Sequence, residues 1–200
     1  MARKIVLAST SPYRRELMQR LGIPFECAIP NADESLIARE TPRDRAKRLS
    51  IAKAKSLVAS YSDAIIIGSD QVAECNGQIL RKPGTIEKAV EQLKAIRDGE
   101  HLLHTGLHVI DTKSRQSETR LVTAQLKLRN DLSDSEIIHY IEKEKPVNCA
   151  GSYKIESTGI ALFDHIDCPD WNAIIGLPLL ELSQILRKMN VNLFAEEYES

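Results

Sequence analysis

The chain has 200 residues, of which 42% are hydrophobic and 28% are charged, and its formal net charge is −1. This composition is typical of one globular domain, and the near-neutral charge excludes a general electrostatic attraction to nucleic acid or anionic lipid. The apolar stretch at residues 5–8 is shorter than a signal-peptide core of about 7–15 residues, and no run reaches the ~18 residues of a membrane helix, so we expect a cytoplasmic protein without a membrane partner.

The hydrophobic pattern and the turn residues predict strands and helices along the whole chain. In the first half of the chain we expect a strand at residues 4–8, a helix at 12–21 that ends at Gly22, a strand at 25–28, a helix from Thr41 to residue 57 and a strand at 64–68. A hairpin around Asn76-Gly77, a helix from Thr85 to residue 98 and two longer strands follow. The last predicted elements are a helix at 133–143, a strand at 159–163 and a final helix with an apolar stripe on Leu179, Leu182, Leu186 and Met189. The prediction is an α/β fold with a mixed β-sheet flanked by helices, in a single domain over residues 1–200.

The run STSPYRR at residues 9–15 lies between a predicted strand and a predicted helix. A helix N-terminus presents free backbone N–H groups and a partial positive charge, so hydroxyl groups and a guanidinium at this point can bind phosphate. The same residues also fit an ordinary capped helix with solvated arginines. Taken alone, this segment favours the simpler interpretation.

The run GSDQ at residues 68–71 follows a buried strand, and ligand sites of α/β proteins collect at the carboxyl ends of strands. The Asp70 carboxylate can bind Mg²⁺, which takes one or two protein carboxylates together with substrate phosphates, or it can accept a proton from attacking water. A turn aspartate is an equally good interpretation. Asp33 and Glu34 offer a second carboxylate, although a solvated loop pair fits them better when they are taken alone.

Lys53 shares a helical stripe with Leu49 and Leu57, so its ammonium group either extends outward to water or faces an anion. Lys82 follows the predicted hairpin and can also neutralise phosphate charge. His104 and His108 share one face of a predicted strand without a third metal ligand, and we expect exposed histidines there.

Other classes of site find little support in the sequence. The four cysteines form no C-x-x-C pair, so we expect free and buried thiols. The sequence contains no G-x-S-x-G elbow, Walker A loop or H-E-x-x-H motif, which excludes the hydrolases that those motifs mark.

Taken together, the motifs resemble the Maf family of nucleotide pyrophosphatases. The resemblance covers nearly the whole chain, in the order LASTSPYRR at residues 7–15, Asp33-Glu34, GSDQV at 68–72, Lys82-Pro83 and Gly176-Leu177-Pro178. It implies a fold with two lobes around a central cleft, hydrolysis of the α–β phosphate bond of a nucleoside triphosphate, and dependence on a divalent cation, Mg²⁺ or Mn²⁺. A homodimer is the expectation that the family suggests.

The resemblance also implies roles for individual residues. It makes Asp70 the catalytic acid-base residue and Glu34 the second acidic residue of the catalytic site, and it implies that both are metal ligands. It assigns phosphate binding to Ser9, Ser11, Arg14, Lys53 and Lys82. It assigns base choice to Tyr13, Gln71 and Glu156. The family usually has glycine where this chain has Arg81, so arginine adds strain there if the turn needs a positive φ.

One branch of the family is the closer match. The run CAGSYK at residues 149–154, with Gln71 directly after Asp70, is similar to the branch that acts on 7-methyl-GTP. N7-methylguanine carries a delocalised positive charge that favours an aromatic face, and its N1–H and N2–H₂ edge suits a carboxylate acceptor such as Glu156. We therefore expect an enzyme that hydrolyses 7-methyl-GTP to 7-methyl-GMP and diphosphate and so removes a modified nucleotide.

Two alternatives remain open, and a third is weak. The first is a dTTP and UTP pyrophosphatase of the same family, and the second is a nucleotide-binding regulator of cell division and septum formation. A nucleic-acid-binding module is disfavoured, because the chain is neutral and only 4% of its residues are aromatic.

Overall fold

The computed structural model describes residues 3–195. The strands are Lys4–Ala8 (β1), Glu26–Ala28 (β2), Ala64–Cys75 (β3), Gln78–Leu80 (β4), Glu100–Asp111 (β5), Ser117–Leu128 (β6) and Phe163–Asp167 (β7). The α-helices are Pro12–Gln19 (α1), Pro42–Lys55 (α2), Ile86–Ile96 (α3), Asp134–Glu144 (α4), Asn172–Ile175 (α5) and Leu179–Lys188 (α6). Two short 3₁₀ segments cover Val58–Ser60 and Thr158–Leu162. None of the described helices is long and apolar enough to cross a bilayer.

The strands form one seven-stranded mixed sheet in the order β2-β1-β3-β5-β6-β7, with β4 paired to β3. β1 runs parallel to both β2 and β3, whereas the β3–β4 and β6–β7 pairs are antiparallel. The predicted α/β fold with a mixed sheet is confirmed. The chain divides into two compact units: one comprises the described residues up to Gln71, Thr105–Val122 and those from Asp170 onward, and the other comprises Val72–His104 and Thr123–Pro169.

The first unit buries β1 on both of its faces. Ile5 and Leu7 belong to a core cluster with apolar residues of α1 and α6. Val6 and Ala8 pack on the other face with a cluster that includes Ala54 of α2. A strand covered on both faces is apolar throughout rather than alternating, which is the pattern that residues 5–8 show.

Local signals set the element boundaries largely as predicted. Four hydroxyl side chains act as N-caps by accepting a hydrogen bond from the backbone N–H three residues further on, namely those of Ser11, Thr41, Thr85 and Ser133. The Asn76-Gly77 turn has positive φ at both residues, 51° and 77°, as a type I′ hairpin requires. The predicted hairpin and helix starts are therefore confirmed.

In the second unit, α3 and α4 pack against each other. The Asp134 carboxylate at the start of α4 accepts hydrogen bonds from Lys94 and Arg97, both at 2.7 Å. An acidic group in the first turn of a helix also complements the helix dipole. This ion-pair network therefore adds a polar contact to the apolar packing of the two helices.

The strand predicted at residues 159–163 is wrong. Residues Thr158–Leu162 form a 3₁₀ segment, and β7 begins only at Phe163. Gly159 lies so close to the Lys154 carbonyl and the Tyr140 hydroxyl that a Cβ would overlap both. This close packing holds the short helical turn, and the local apolar run gave no sign of it.

The expectation of exposed histidines on β5 is also wrong. His104 is 1% exposed and His108 is 4% exposed, and their Nδ1 atoms are hydrogen-bonded to Thr123 and Thr119. The side chains of β5 are buried at every position from Leu103 to Val109, so both faces of this part of the strand are covered.

The prediction that the cysteines are free is confirmed, and the prediction that they are buried is wrong. All four are free, but Cys27 is exposed and the other three are partly exposed rather than buried.

Candidate active site

The first group of site residues surrounds the end of β1 and the start of α1. Ser9 follows β1 and is buried, and its Oγ accepts a hydrogen bond from the backbone N–H of Ser11 at 3.1 Å. Ser11 is the N-cap of α1, and its Oγ accepts from the backbone N–H of Arg14 at 3.4 Å. Both hydroxyl groups therefore organise the turn that presents the N-terminus of α1.

The guanidinium of Arg14 is held by a backbone carbonyl. Its Nε donates to the Gly176 carbonyl oxygen at 2.8 Å. Burial lowers the pKa of Arg14, while the negative charges of Asp70 and Glu34 act in the opposite direction. Since arginine stays protonated in proteins, this pKa marks a desolvated cation within electrostatic reach of both carboxylates. Arg14 is partly exposed and Arg15 is exposed, so the expectation of two solvated arginines is wrong for Arg14 only.

Lys53, Asp70 and Glu34 form one ion-pair cluster. The Lys53 Nζ lies 2.5 Å from an Asp70 carboxylate oxygen and 2.9 Å from a Glu34 carboxylate oxygen. Lys53 and Asp70 are each only 8% exposed. Of the two interpretations of Lys53, the one in which it faces an anion is therefore correct. The prediction that residues 68–71 follow the end of a strand is wrong, because β3 continues from Ala64 to Cys75 and Asp70 lies within it as a buried residue.

Gly68 brings β3 against α2 and so assembles this cluster. A Cβ at Gly68 would lie 2.7 Å from the backbone nitrogen of Ala54 and still closer to the carbonyl of Ser50. Only glycine permits such an approach. Because side chains two residues apart share one face of a strand, Asp70 faces the same helix and meets Lys53.

The electrostatics of the cluster keep Glu34 ionised. Partial burial would raise the pKa of Glu34, but the hydrogen bond and the charge of Lys53 outweigh it, with further help from Arg45 and Arg14. The pKa of Glu34 is consequently lowered. A carboxylate in this state is ready to bind a cation at neutral pH.

Two arginines of α2 fix the loop that contains Glu34. Arg45 donates to the Glu34 carbonyl at 2.6 Å, and Arg48 donates to the carbonyls of Asp33 and Ser35 at 3.3 and 3.1 Å. The Asp33 carboxylate accepts from the backbone N–H of Ser35 at 2.9 Å, so it closes a turn while Glu34 reaches Lys53. Sequence reasoning missed both arginines, although their spacing of three residues places them on one face of the helix.

The residues present fit a divalent cation. Within residues 3–195, no group of three or more histidine, cysteine, aspartate or glutamate side chains could hold a metal ion. Mg²⁺, however, typically uses one or two protein carboxylates and takes its other ligands from water and substrate phosphates. Asp70 and Glu34, which already share one cation in Lys53, are a donor set of that kind.

Gln71 is turned toward backbone carbonyls. Its Nε2 donates to the carbonyls of Ala173 and Ile174 at 2.8 and 2.9 Å, and to Thr105 Oγ1 at 3.1 Å. The amide nitrogen must face this side, because the amide oxygen would meet the lone pairs of two carbonyls. Its predicted influence on base choice stays a prediction, as does that of Tyr13, which is half-buried on α1.

The remaining predicted residues, Lys82 and Glu156, are exposed in the second unit. Within that unit Gln92 links the loops on which they lie: its Oε1 accepts from Ser152 at 2.7 Å, and its Nε2 donates to the Arg81 carbonyl at 3.0 Å. Arg81 does not adopt a positive φ, so its presence in place of the family glycine adds no backbone strain. No sequence signal pointed to Gln92.

The sequence is similar to that of known proteins along nearly the whole chain. A family model described as Maf-like protein matches residues 4–189. The 7-methyl-GTP pyrophosphatase of Aromatoleum aromaticum is 45% identical to this chain, over 92% of this chain and 94% of its own length. The 7-methyl-GTP pyrophosphatase of Polaromonas sp. is also 45% identical, over 99% of this chain and 90% of its own length. Among solved structures, the Staphylococcus aureus Ham1 protein matches 78% of this chain and 89% of its own chain, with a TM-score of 0.46 and 15% identity.

Proposed function

This chain belongs to the Maf family, and we propose that it is a nucleoside triphosphate pyrophosphatase that hydrolyses 7-methyl-GTP to 7-methyl-GMP and diphosphate in the cytoplasm. Relatives named for that activity match nearly the full chain at 45% identity. The observation that supports it most is the cluster of Lys53 with Asp70 and Glu34, within electrostatic reach of the partly buried Arg14. Hydrolysis of a polyanion needs cations for the phosphates and a carboxylate near the attacking water.

Asp70 acts as the general base in this proposal. Its carboxylate accepts a proton from the water that attacks the α-phosphorus, and a new bond forms between that phosphorus and the water oxygen. The bond from the α-phosphorus to the bridging oxygen breaks, and diphosphate leaves with that oxygen and its electron pair. Asp70 and Glu34 would hold Mg²⁺ or Mn²⁺, which when bound would neutralise charge on the phosphate oxygens.

The cationic side chains orient the substrate and stabilise the leaving group. Arg14 has a planar guanidinium that suits two phosphate oxygens at once, and Lys53 supplies a compact charge. Ser9 and Ser11 shape the N-terminus of α1, which favours an anion through its backbone N–H groups. Family resemblance adds Lys82 to this set, and its contribution is tested by Lys82→Met.

Base choice is proposed to depend on Tyr13, Gln71 and Glu156. The positive charge of N7-methylguanine favours an aromatic face, and the donor edge of guanine favours the Glu156 carboxylate. Glu156→Gln is therefore expected to reduce the preference for 7-methyl-GTP over UTP.

The homodimer that the family suggests is tested separately by light scattering.

The test is diphosphate release from 7-methyl-GTP, GTP, dTTP, UTP and CTP, with Mg²⁺, with Mn²⁺ and with chelator. Metal-dependent release that is fastest for 7-methyl-GTP is the expected result. Faster release from UTP or dTTP would keep the reaction class and overturn the substrate. If no triphosphate is hydrolysed, the enzyme proposal fails, and a nucleotide-binding regulator becomes the better hypothesis.

A further inference from the structure

The carbonyl of Gly176 is shared by two side chains of the first unit. It accepts a hydrogen bond from Arg14 Nε at 2.8 Å and another from Ser69 Oγ at 2.8 Å. The same Ser69 hydroxyl lies 2.9 Å from the carbonyl of Gly106 on β5. Because a hydroxyl has a single hydrogen, Ser69 forms a three-centre bond that ties Gly176 to the adjacent strand.

The preceding turn, α5, is anchored in the same way. The Ala173 carbonyl accepts from Thr105 Oγ1 at 2.8 Å and from Gln71 Nε2 at 2.8 Å. Gln71 Nε2 also lies 3.1 Å from the Thr105 hydroxyl oxygen, so the two side chains are linked to each other as well. Donors on β3 and β5 therefore fix the backbone of this segment next to Asp70.

Gly176 has the backbone conformation that makes this arrangement possible. Its φ is +121°, a region that side-chain-bearing residues rarely adopt. A Cβ at this position would lie 3.4 Å from Arg14 Nε. A Cβ at that distance would make only an ordinary van der Waals contact, so glycine is needed here for its backbone conformation.

We infer that Ser69 is a positioning residue for Arg14, acting through the Gly176 carbonyl; this inference rests on the proposed phosphate-binding role of Arg14. Ser69 is fully buried, and it neighbours Asp70 on the strand, so its side chain points to the opposite face and away from the ion-pair cluster. Ser69 therefore acts on the site through the Gly176 carbonyl, to which Arg14 also donates a hydrogen bond.

The physical reason lies in the shape of the guanidinium. A hydrogen bond at Nε fixes the plane of the group and leaves the two terminal nitrogens to face phosphate oxygens. If the Gly176 carbonyl could change its orientation, the plane of the guanidinium could rotate with it. Bidentate hydrogen bonds to phosphate would then weaken, because hydrogen-bond strength falls steeply as the donor angle departs from linearity. Ser69 restricts the Gly176 carbonyl, so it maintains the orientation of Arg14 without touching the substrate.

The experiment compares Ser69→Ala with Ser50→Ala, each in the native and the Arg14→Lys background. Ser50 is a matched control, because it is also fully buried and donates to one carbonyl, that of Lys47, within α2. Kinetics with 7-methyl-GTP and urea unfolding are measured for all variants. Ser69→Ala is expected to raise KM about tenfold with a smaller change in kcat, which corresponds to the loss of about one hydrogen bond.

The double-mutant cycle distinguishes positioning from general destabilisation. In the Arg14→Lys background, where Nε is absent, Ser69→Ala is expected to change KM less than twofold. A full tenfold effect in that background, or an effect equal to that of Ser50→Ala, would overturn the inference. Ser69→Cys keeps a weak donor, so it should fall between serine and alanine, and it provides the readout if Ser69→Ala does not fold.

Failure of the proposed function would be visible separately. If the native chain hydrolyses no triphosphate, the affinity of the same variants for inorganic diphosphate is measured by calorimetry. A Ser69-dependent loss of affinity that disappears in the Arg14→Lys background would support the positioning role. An equal loss in both backgrounds would refute it.

Discussion

Replacing Asp70 with asparagine is the sharpest test of the ion-pair cluster. The substitution keeps the shape of the side chain but removes its negative charge and its ability to accept a proton from water. General-base catalysis typically contributes a factor of about 10²–10⁴, and the loss of a metal ligand adds to it. We expect kcat to fall by at least about 10³-fold.

The effect on stability can be bounded from the geometry. Removing one partner of a buried ion pair costs about 3–5 kcal/mol when the other charge is left alone. Lys53 is not left alone, because Glu34 remains 2.9 Å from its Nζ, and the amide oxygen of asparagine still accepts a hydrogen bond. We therefore expect Asp70→Asn to lower the free energy of unfolding by only about 1–2 kcal/mol.

Asp33→Asn is the matched control for this measurement. Asp33 is the neighbouring acid in the Glu34 loop, but its carboxylate accepts from Ser35 and not from Lys53. Diphosphate release and urea unfolding should both stay close to those of the native chain. If Asp70→Asn kept more than about a tenth of the native activity, Asp70 could not be the general base. If Asp70→Asn instead proved unfolded, the pair with Lys53 would be primarily structural.

Two further predictions concern buried positions, one at Gly68 and the other at two histidines of β5. Gly68→Ala should lower the free energy of unfolding by about 2 kcal/mol or more and also reduce activity, because a Cβ would press against the backbone of Ser50 and Ala54 and displace the helix that bears Lys53. Burial lowers the pKa of His101 and of His108 to about 4, so the fold favours their neutral forms. The unfolded chain takes up these protons first as the pH falls below about 6.5, and stability should drop by about 2 kcal/mol per histidine between pH 7 and pH 5.

Each of these predictions has its own control. For Gly68→Ala it is Gly99→Ala, because a Cβ there would meet nothing within 4 Å, and equal effects of the two would contradict the close-approach explanation. For the histidines, His108→Gln should flatten the decline of unfolding free energy between pH 7 and pH 5. An unchanged pH dependence in that variant would mean that His108 does not drive the acid sensitivity.

The local structure was largely encoded in short sequence patterns. Capping hydroxyls such as Thr41 and the Asn76-Gly77 turn specify helix starts and a hairpin through hydrogen bonds and backbone conformations that span only a few residues. The family of the chain followed from an ordered set of motifs, of which GSDQV at residues 68–72 is one. In these cases the determining interactions are near in sequence.

The strand predicted at residues 159–163 and the exposed histidines failed for a common reason. Gly159 packs against Tyr140 and Lys154, and His108 lies on a strand covered on both faces. Burial depends on what the rest of the chain places over a residue. A local pattern cannot report that.

The sequence by itself determined the family, the strand and helix order and the residue types available for chemistry. Only the tertiary structure decided which of them meet: that Glu34 and not Asp33 reaches Lys53, that Lys53 is buried against Asp70, and that Gln71 holds a backbone segment. These pairings join residues far apart in the chain. They depend on close approaches between elements, such as that of Gly68 on β3 to the backbone of α2. The steric fit of such an approach is decided only when the two elements are packed together.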